Sequence, residues 1–180
     1  RDSLANNTTA EQNTAIGRAS LFTNTTGANN TALGKDALYL NTTASNNTAV
    51  GFAALGANTT GYSNTAVGSL TGDAITTAWG CTLVGQGAGG AITTGQDNSI
   101  FGYATGVDLT TGNQNCLFGV SAGGDLTTGV NNIMAGFNAG RYGTTANANV
   151  IIGTNAGVNI STGTDNVIIG QNAANYVNAF

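Results

Sequence analysis

The sequence repeats itself every 17 residues, and this period constrains the fold more than any other feature. The pattern Asn-x-x-x-Gly recurs nine times, and every step is 17 residues apart from one of 34. In that gap the missing unit stands in frame as Cys81-Thr-Leu-Val-Gly85, so ten units follow one another without insertion or deletion. The repeated asparagines are Asn13, Asn30, Asn47, Asn64, Asn98, Asn115, Asn132, Asn149 and Asn166, and the repeated glycines are Gly17, Gly34, Gly51, Gly68, Gly85, Gly102, Gly119, Gly136, Gly153 and Gly170.

A unit length that never varies predicts a solenoid whose coils stack directly on one another. Coils joined by parallel-strand hydrogen bonds lie about 4.8 Å apart, so equivalent residues form ladders and an insertion would bulge from the stack. Helical solenoids use units of about 33–47 residues, and Gly, Asn, Thr and Val are poor helix formers. The sequence therefore predicts an all-β fold, a parallel β-solenoid or β-roll of about ten 17-residue coils.

Residues are designated below by their place in the unit, with Asn13 at place 1 and Asn29 at place 17. Places 1 to 4 are predicted to form a strand, with places 1 and 3 on one face and places 2 and 4 on the other. The glycine at place 5 is predicted to turn the chain with a positive φ. A second corner is expected at Asn-Thr-Thr-Gly, as in residues 58–61. We expect the Asn and Thr ladders to bond coil to coil rather than to bind a ligand.

The array contains two kinds of coil. The first three units have Leu at place 9 and Asn at place 12, whereas most later units have Gly and then Ile or Leu. Place 3 changes as well, from Ala to Leu, Ile or Met. Because close packing penalises both voids and excess volume, this exchange predicts repacking of one shared core. We expect a single array over residues 1–180, with Leu/Asn-type coils over 1–70 and Gly/Ile-type coils over 71–180. Since the array starts and stops within a unit, we expect a fragment of a longer fibre.

The residues offer little for catalysis. The chain has no His, and 7% of its residues are charged, against about 25% in typical domains. Asp108 and Asp125 are one unit apart and are predicted to stack at about 5 Å. We expect them to lie on a solvated face rather than to form a cation site or an acid–base pair. Cys81 and Cys116 are predicted to be too far apart for a disulfide and to pack as small hydrophobic residues. We predict that the chain is not an enzyme and holds no catalytic residue, cofactor or metal.

The later strands indicate a partner. Segments such as Asn149–Gly153 and Asn166–Gly170 are apolar on both faces, and a thin coil buries only one of them. The other face predicts self-association around a threefold axis, because every coil presents the same apolar stripe. Nucleic acid is not expected as a partner, since the basic residues are few and form no stripe. No apolar run approaches the roughly 18–20 residues that span a bilayer, so membrane insertion of this segment is not expected.

The unit Asn-Thr-Ala-x-Gly-x-x-Ala-Leu-x-x-Asn-Thr-Thr-Gly resembles the repeats of bacterial and phage tail-fiber-domain proteins. It is also similar to the head repeat of trimeric autotransporter adhesins of the YadA group. The resemblance covers essentially the whole chain and is clearest over residues 30–38 and 47–55, whereas later units keep only the Asn, Gly and Thr-Thr positions. It implies a homotrimeric structural fibre, extracellular on a virion or bacterial surface, that mediates attachment. A host-surface glycan or receptor is the external partner that it implies.

Two other functions are compatible with the residues. An ice-binding solenoid would require the Thr ladder from Thr25 to Thr145 to lie on a flat exposed face. A glycan-binding module would use aromatic residues at variable places of the unit, which we otherwise expect to pack at the rim. These aromatic residues are Phe22, Tyr39, Tyr62, Trp79, Tyr103, Tyr142 and Tyr176. The sequence leaves open whether the chain comes from a phage or a bacterium, and which ligand it binds.

Overall fold

The computed structural model describes residues 2–175, and it is the all-β parallel solenoid that the period predicts. Ten strands form one sheet in chain order, and each residue pairs with the residue 17 positions later, as Thr14 does with Thr31. The strands are β1 (Thr14–Ile16), β2 (Thr31–Leu33), β3 (Thr48–Val50), β4 (Thr65–Val67), β5 (Thr82–Val84), β6 (Ser99–Phe101), β7 (Cys116–Phe118), β8 (Ile133–Ala135), β9 (Val150–Ile152) and β10 (Val167–Ile169).

Each strand is only three residues long because left-handed residues interrupt the extended backbone at fixed places. Places 7, 9 and 17 recur with positive φ, for example Asp36 (φ 59), Leu38 (φ 50) and Asn46 (φ 63). Since Asn46 immediately precedes place 1, the strand predicted for places 1 to 4 begins one residue later, at Thr48. Hydrogen bonds between coils nevertheless continue outside the strands, because the backbone N–H of Leu38 donates to the carbonyl of Ala54 at 3.0 Å.

The predicted alternation of faces is confirmed. In β3, Ala49 is buried, whereas Thr48 and Val50 are partly exposed. The core is a continuous column of inward side chains from places 1, 3, 8, 9 and 12.

The glycine at place 5 is required by the approach of the next coil as well as by the turn. These glycines have φ between 119 and 141°. A Cβ added to Gly34 would lie 2.3 Å from the carbonyl oxygen of Gly51, and every place-5 glycine from Gly17 to Gly153 meets the same obstruction within 2.7 Å. Any side chain here would push successive coils apart, which explains why all ten units keep glycine.

The asparagine at place 1 ties each coil to the next through both ends of its amide. The Oδ1 of Asn47 accepts a hydrogen bond from the backbone N–H of Asn64 at 3.0 Å. Its Nδ2 donates to the carbonyl of Gly61 at 2.9 Å, in the turn that leads into Asn64. The same pair of bonds recurs up the rod, and the asparagines from Asn30 to Asn149 are buried. This confirms that the ladder is coil-to-coil bonding.

A second asparagine ladder at place 12 runs through the first coils only. The Nδ2 of Asn41 donates to the Oδ1 of Asn24 at 2.9 Å, and that of Asn58 donates to the Oδ1 of Asn41 at 3.0 Å. The next residue in this column is Ile75, which has no amide. The Oδ1 of Asn58 is consequently buried without a hydrogen-bond partner.

The change at place 12 accompanies an exchange of volume between place 9 of one coil and place 3 of the next. Leu55 is matched by Ala66, whereas Gly72 is matched by Leu83, and all four are fully buried or lie within the core column. A Cβ added at Gly72 would come within 2.7 Å of Leu83 Cδ1. Place 9 also has positive φ in both kinds of coil, so glycine relieves the left-handed strain that Leu55 (φ 51) accepts.

The coil over residues 132–148 differs from the other later coils, because it has glycine at place 12 (Gly143) as well as at place 9 (Gly140). In that coil Met134 occupies place 3, and its Sδ would lie 2.6 Å from a Cβ added at Gly140. The flexible thioether side chain packs against place 9 of two successive coils, since its Sδ would also lie 3.1 Å from a Cβ added at Gly123. Met134 is fully buried there.

Cys81 is the single interruption of the place-1 ladder in the described chain. Its N–H donates to Asn64 Oδ1 at 3.0 Å, and its Sγ lies 3.4 Å from the carbonyl of Gly95, to which an amide at this place would donate. A thiol is a weak donor and a weak acceptor, so it replaces only part of what asparagine provides. Burial raises the pKa of the Cys81 thiol, while hydrogen bonding from Asn98 acts in the opposite direction.

We expect Cys81→Asn to stabilise the rod by about 1 kcal/mol, because it restores two amide hydrogen bonds between coils. Chemical denaturation followed by circular dichroism measures the change. The matched control is Asn132→Cys, which creates a second interruption and should lose about 1–3 kcal/mol, since it leaves buried polar groups unpaired. A destabilised Cys81→Asn variant would show that the ladder does not limit stability.

The core exchange predicts a compensating pair. Gly72→Leu alone should cost about 1–3 kcal/mol through overpacking against Leu83, and Leu83→Ala alone should cost about 2–5 kcal/mol through the cavity that it leaves. The double variant restores the combination of Leu at place 9 and Ala at place 3 that Leu55 and Ala66 form, while Ile75 stays at place 12, so its loss should be smaller than the sum by about 1–3 kcal/mol. A double-mutant cycle in urea tests this, and strict additivity would contradict it.

Candidate functional site

The acidic residues do not assemble into a metal or catalytic centre within residues 2–175. No group of three or more His, Cys, Asp or Glu side chains in this range is placed to hold a metal ion. Asp108 and Asp125 occupy place 11 in successive coils, as predicted from their spacing, with Asp108 exposed and Asp125 partly buried.

The two cysteines lie in different environments, and one expectation about them is wrong. Both are free thiols, and the sequence predicted no disulfide between them. Cys81 is buried in the core column, as expected for a small hydrophobic residue. Cys116 is exposed on the outer face of the sheet, because place 2 points away from the core. The prediction that Cys116 packs as a small hydrophobic residue is therefore wrong.

The threonine pair divides into a bonded column and an exposed column. At place 13 the hydroxyl donates to the carbonyl of the same place in the next coil, as from Thr25 to Thr42 at 3.0 Å and from Thr127 to Thr144 at 2.9 Å. The threonines at place 14, from Thr26 to Thr162, are exposed. The predicted Thr ladder therefore presents one exposed hydroxyl column, and the other column holds the coils together.

The outer face of the sheet carries an unbroken apolar column at place 4, beside a place-2 column of Thr and Ser in β1–β6 and of Cys, Ile and Val in β7–β10. Its place-4 column carries no polar residue, and places 2 and 4 together carry no charge. Several of these side chains are strongly exposed, including Ile16 at 61%, Phe118 at 51% and Ile169 at 66%. The place-4 column, called the apolar stripe below, consists of Ile16, Leu33, Val50, Val67, Val84, Phe101, Phe118, Ala135, Ile152 and Ile169.

The apolar stripe widens around the glycine corner in the middle coils. Place 6 lies just beyond this corner and carries Tyr103, Val120 and Phe137, all exposed. In the stripe itself, the rings of Phe101 and Phe118 stack with centroids 4.6 Å apart. The sheet face and the adjoining edge of the next flank thus form one apolar surface there.

The remaining aromatic residues are partly paired, as rim packing predicts. Tyr62 stacks on Trp79 at 5.8 Å, and the Arg141 guanidinium lies 5.4 Å from the centre of the Tyr142 ring. Tyr176 lies outside the described residues. Phe22 and Tyr39 also stack, with centroids 5.5 Å apart, and they form one wall of a cavity.

This cavity is a groove of about 610 Å³ on the flank formed by places 6 to 11 of the first coils. Its lining includes Phe22 and Tyr39 at place 10 and Arg18 and Lys35 at place 6. The groove is open beside Tyr39 because the next residue in its column is Gly56. The complete lining is Asp2, Arg18, Ala19, Phe22, Lys35, Asp36, Tyr39, Leu40, Ala53, Gly56, Ala57 and Asp73.

The groove concentrates charge in a chain that is otherwise nearly uncharged. The sequence has four Lys and Arg and eight Asp and Glu residues, and five of these twelve line the groove. Lys35 forms an ion pair with Asp36, and its Nζ lies 4.8 Å from the centre of the Phe52 ring. Burial raises the pKa of Asp73, and its own backbone hydrogen bond partly offsets this effect.

The groove was not predicted from the sequence. Phe22 and Tyr39 were considered separately, as aromatic residues that pack at the rim of the coil. The available signal was the place-10 column, where two aromatic residues are followed by Gly56 and then Asp73. In this column two aromatic side chains are followed by a position without a side chain and then by a carboxylate. This order predicts a groove with both apolar and polar lining.

Residues 2–175 contain no helix with the length and apolar character that a bilayer crossing requires. Comparison of the chain with protein-family models, with characterised proteins and with solved structures gives no match.

The raised pKa of Asp73 predicts a pH-dependent penalty at neutral pH. The folded state holds the Asp73 proton more tightly than the unfolded state, so stability falls as pH rises through the folded pKa. Asp73→Asn should therefore be slightly more stable than the original chain at pH 7. This difference should shrink as the pH falls below the ordinary carboxyl range. Thermal melts from pH 3 to pH 7 measure it, and a difference independent of pH would contradict the assignment.

Proposed function

We propose that this chain is a rod segment of a homotrimeric attachment fibre, displayed outside the cell on a virion or a bacterial surface. The observation that carries the proposal is the apolar stripe. A sheet face that meets water normally bears polar side chains, whereas the place-4 column of this face is apolar in all ten strands and place 2 beside it carries no charge. Exposed apolar surfaces of this continuity mark association sites.

A second copy of the same chain is the partner that fits the apolar stripe best. The stripe repeats once per coil, at the strand spacing of about 4.8 Å over about 45–50 Å of rod. A partner must match that pitch over the full length, and an identical solenoid does so by construction. Parallel copies also place equivalent coils at equal heights, so every coil contributes the same contact.

Cyclic closure is favoured by the shape of the apolar surface. In the middle coils this surface includes the sheet face and the corner residues Tyr103, Val120 and Phe137. Two adjoining apolar flanks suit a head-to-tail contact, in which one flank packs on a different flank of the neighbour. Such contacts close into rings, and a ring of three keeps all rods parallel around one axis.

The interior of the coil supports a structural role rather than a chemical one. Buried amides such as Asn47 and Asn132 bond to adjacent coils, and the threonine hydroxyls at place 13 do the same. Their hydrogen-bonding capacity is used within the rod. A rod built in this way resists bending and unfolding, as the shaft of an attachment fibre must.

We expect the chain to be a trimer in solution and Ile152→Lys to disperse it, because one charge per copy would be buried at the threefold contact. Light scattering coupled to size-exclusion chromatography measures the mass. Thr162→Lys is the matched control, since it adds the same charge to the exposed threonine column of the same coil. The control should stay trimeric.

Cys116 provides a second measurement on the same samples. It lies on the outer sheet face, so assembly should slow its reaction with a thiol reagent and Ile152→Lys should restore a fast reaction. Cys81 is buried in the core and should stay unreactive until the protein unfolds. An original chain that is monomeric at micromolar concentration, with a fully reactive Cys116, would contradict the proposed assembly.

A further inference from the structure

We propose that the groove between Tyr39 and Asp73 is a binding site for a neutral saccharide. This inference rests on the attachment role proposed above and assigns that role a site and a class of ligand. The site lies in the first coils, away from the place-4 stripe, whereas the apolar corner residues at place 6 lie in the middle coils. Three copies can therefore associate and still expose one groove each.

The first argument is the unfinished aromatic column. Phe22 and Tyr39 stack on one another, which covers one face of the Tyr39 ring. The next place in the column is Gly56, so no side chain of this column covers the other face. An exposed aromatic face beside an empty rung is a platform for the C–H face of a sugar ring, because both surfaces are flat and apolar.

The second argument is the arrangement of polar groups around that platform. Asp73 follows Gly56 in the same column, two coil spacings or about 9.6 Å beyond Tyr39. Lys35 and Asp36 also line the groove. Carboxylate oxygens accept hydrogen bonds from sugar hydroxyls, and the ammonium group donates to them. An apolar platform with a few converging polar groups is the usual composition of a small-molecule site.

The third argument concerns charge and size. Lys35 is already neutralised by Asp36 and lies over the Phe52 ring. The lining carries Arg18 and Lys35 together with Asp2, Asp36 and Asp73, so the two signs of charge nearly balance. A neutral ligand rich in hydroxyl groups suits this balance better than an acidic sugar or an ammonium compound. The volume of about 610 Å³ fits the end of a glycan, since ligand pockets span roughly 300–1,000 Å³.

The floor of the groove is formed by small residues. Ala19, Ala53, Gly56 and Ala57 line it without long side chains. The core exchange described above places the large side chains of these coils inward, at Leu38 and Leu55, both fully buried. The groove is therefore an open depression on a rigid backbone, and a ligand can enter it without displacing the core.

Saturation-transfer NMR of the whole chain tests this inference. The probes are the methyl glycosides of glucose, galactose, mannose, N-acetylglucosamine and N-acetylgalactosamine, with sialic acid and choline as charged probes. We expect transfer to at least one neutral glycoside, and about tenfold weaker binding in Tyr39→Ala. Tyr39→Phe keeps the ring and should retain binding. Tyr142→Ala removes an exposed aromatic residue outside both the groove and the apolar stripe and should bind normally.

A second variant separates loss of binding from loss of folding. Gly56→Tyr continues the aromatic column and covers the open face of Tyr39, so it should abolish binding while the thermal midpoint is kept. Transfer to the charged probes alone, transfer unaffected by Tyr39→Ala and Gly56→Tyr, or no transfer to any neutral glycoside at millimolar concentration would each overturn the assignment.

Light scattering on the same samples distinguishes the two proposals. A trimer that binds no neutral glycoside overturns the saccharide site and leaves the fibre assembly standing. A monomer that binds a neutral glycoside in the groove overturns the trimer and supports the site.

Discussion

The distance between successive coils governs the rest of the structure. Parallel backbone hydrogen bonds set this distance to about 4.8 Å, and the glycine at place 5 is what permits the close approach at the sharpest corner. Because every coil is held at this spacing, each residue type acts through a column instead of through a local environment. Asparagine amides and threonine hydroxyls form hydrogen bonds to the adjacent coil, and apolar side chains fill one continuous core.

A column also means that a change in one coil must be compensated in its neighbour. The exchange from Leu55 with Ala66 to Gly72 with Leu83 keeps the core filled, although the two large residues occupy different places of the unit. The exchange has a cost, since the amide ladder of Asn24, Asn41 and Asn58 cannot continue into Ile75. The core is thus filled by two alternative packings, and the junction between them leaves one buried amide oxygen, Asn58 Oδ1, without a hydrogen-bond partner.

The sequence predicted the solenoid, its parallel register and the alternation of the two faces of the strand. These follow from an exact period, because a residue at a known place has the same surroundings in every coil. The left-handed backbone at places 7 and 9 was not predicted. Place 9 carries Leu in the first coils, a residue that gives no sign of positive φ, and only the later glycines hint at it.

The candidate site was harder to predict because it depends on departures from the period. Tyr39, Gly56 and Asp73 form a notch only when the column at place 10 is read across coils. Likewise, Cys116 was misjudged because its neighbours at place 2 are mostly Thr or Val, and the exposure of that face depends on whether a partner covers it. The repeat accounts for the solenoid scaffold, whereas the groove and the exposed thiol depend on positions whose residue type varies from coil to coil.

The unpaired Oδ1 of Asn58 has a mechanical consequence when it is taken together with Cys81. One interrupts the amide ladder between the coils that contain Asn58 and Ile75, and the other interrupts the place-1 ladder between Cys81 and Asn98. These two interfaces bracket the coils over residues 64–97, so tension along the rod meets its least resistance on either side of that short section. A shaft built of two kinds of coil thus has two defined planes of weakness, each set by one residue.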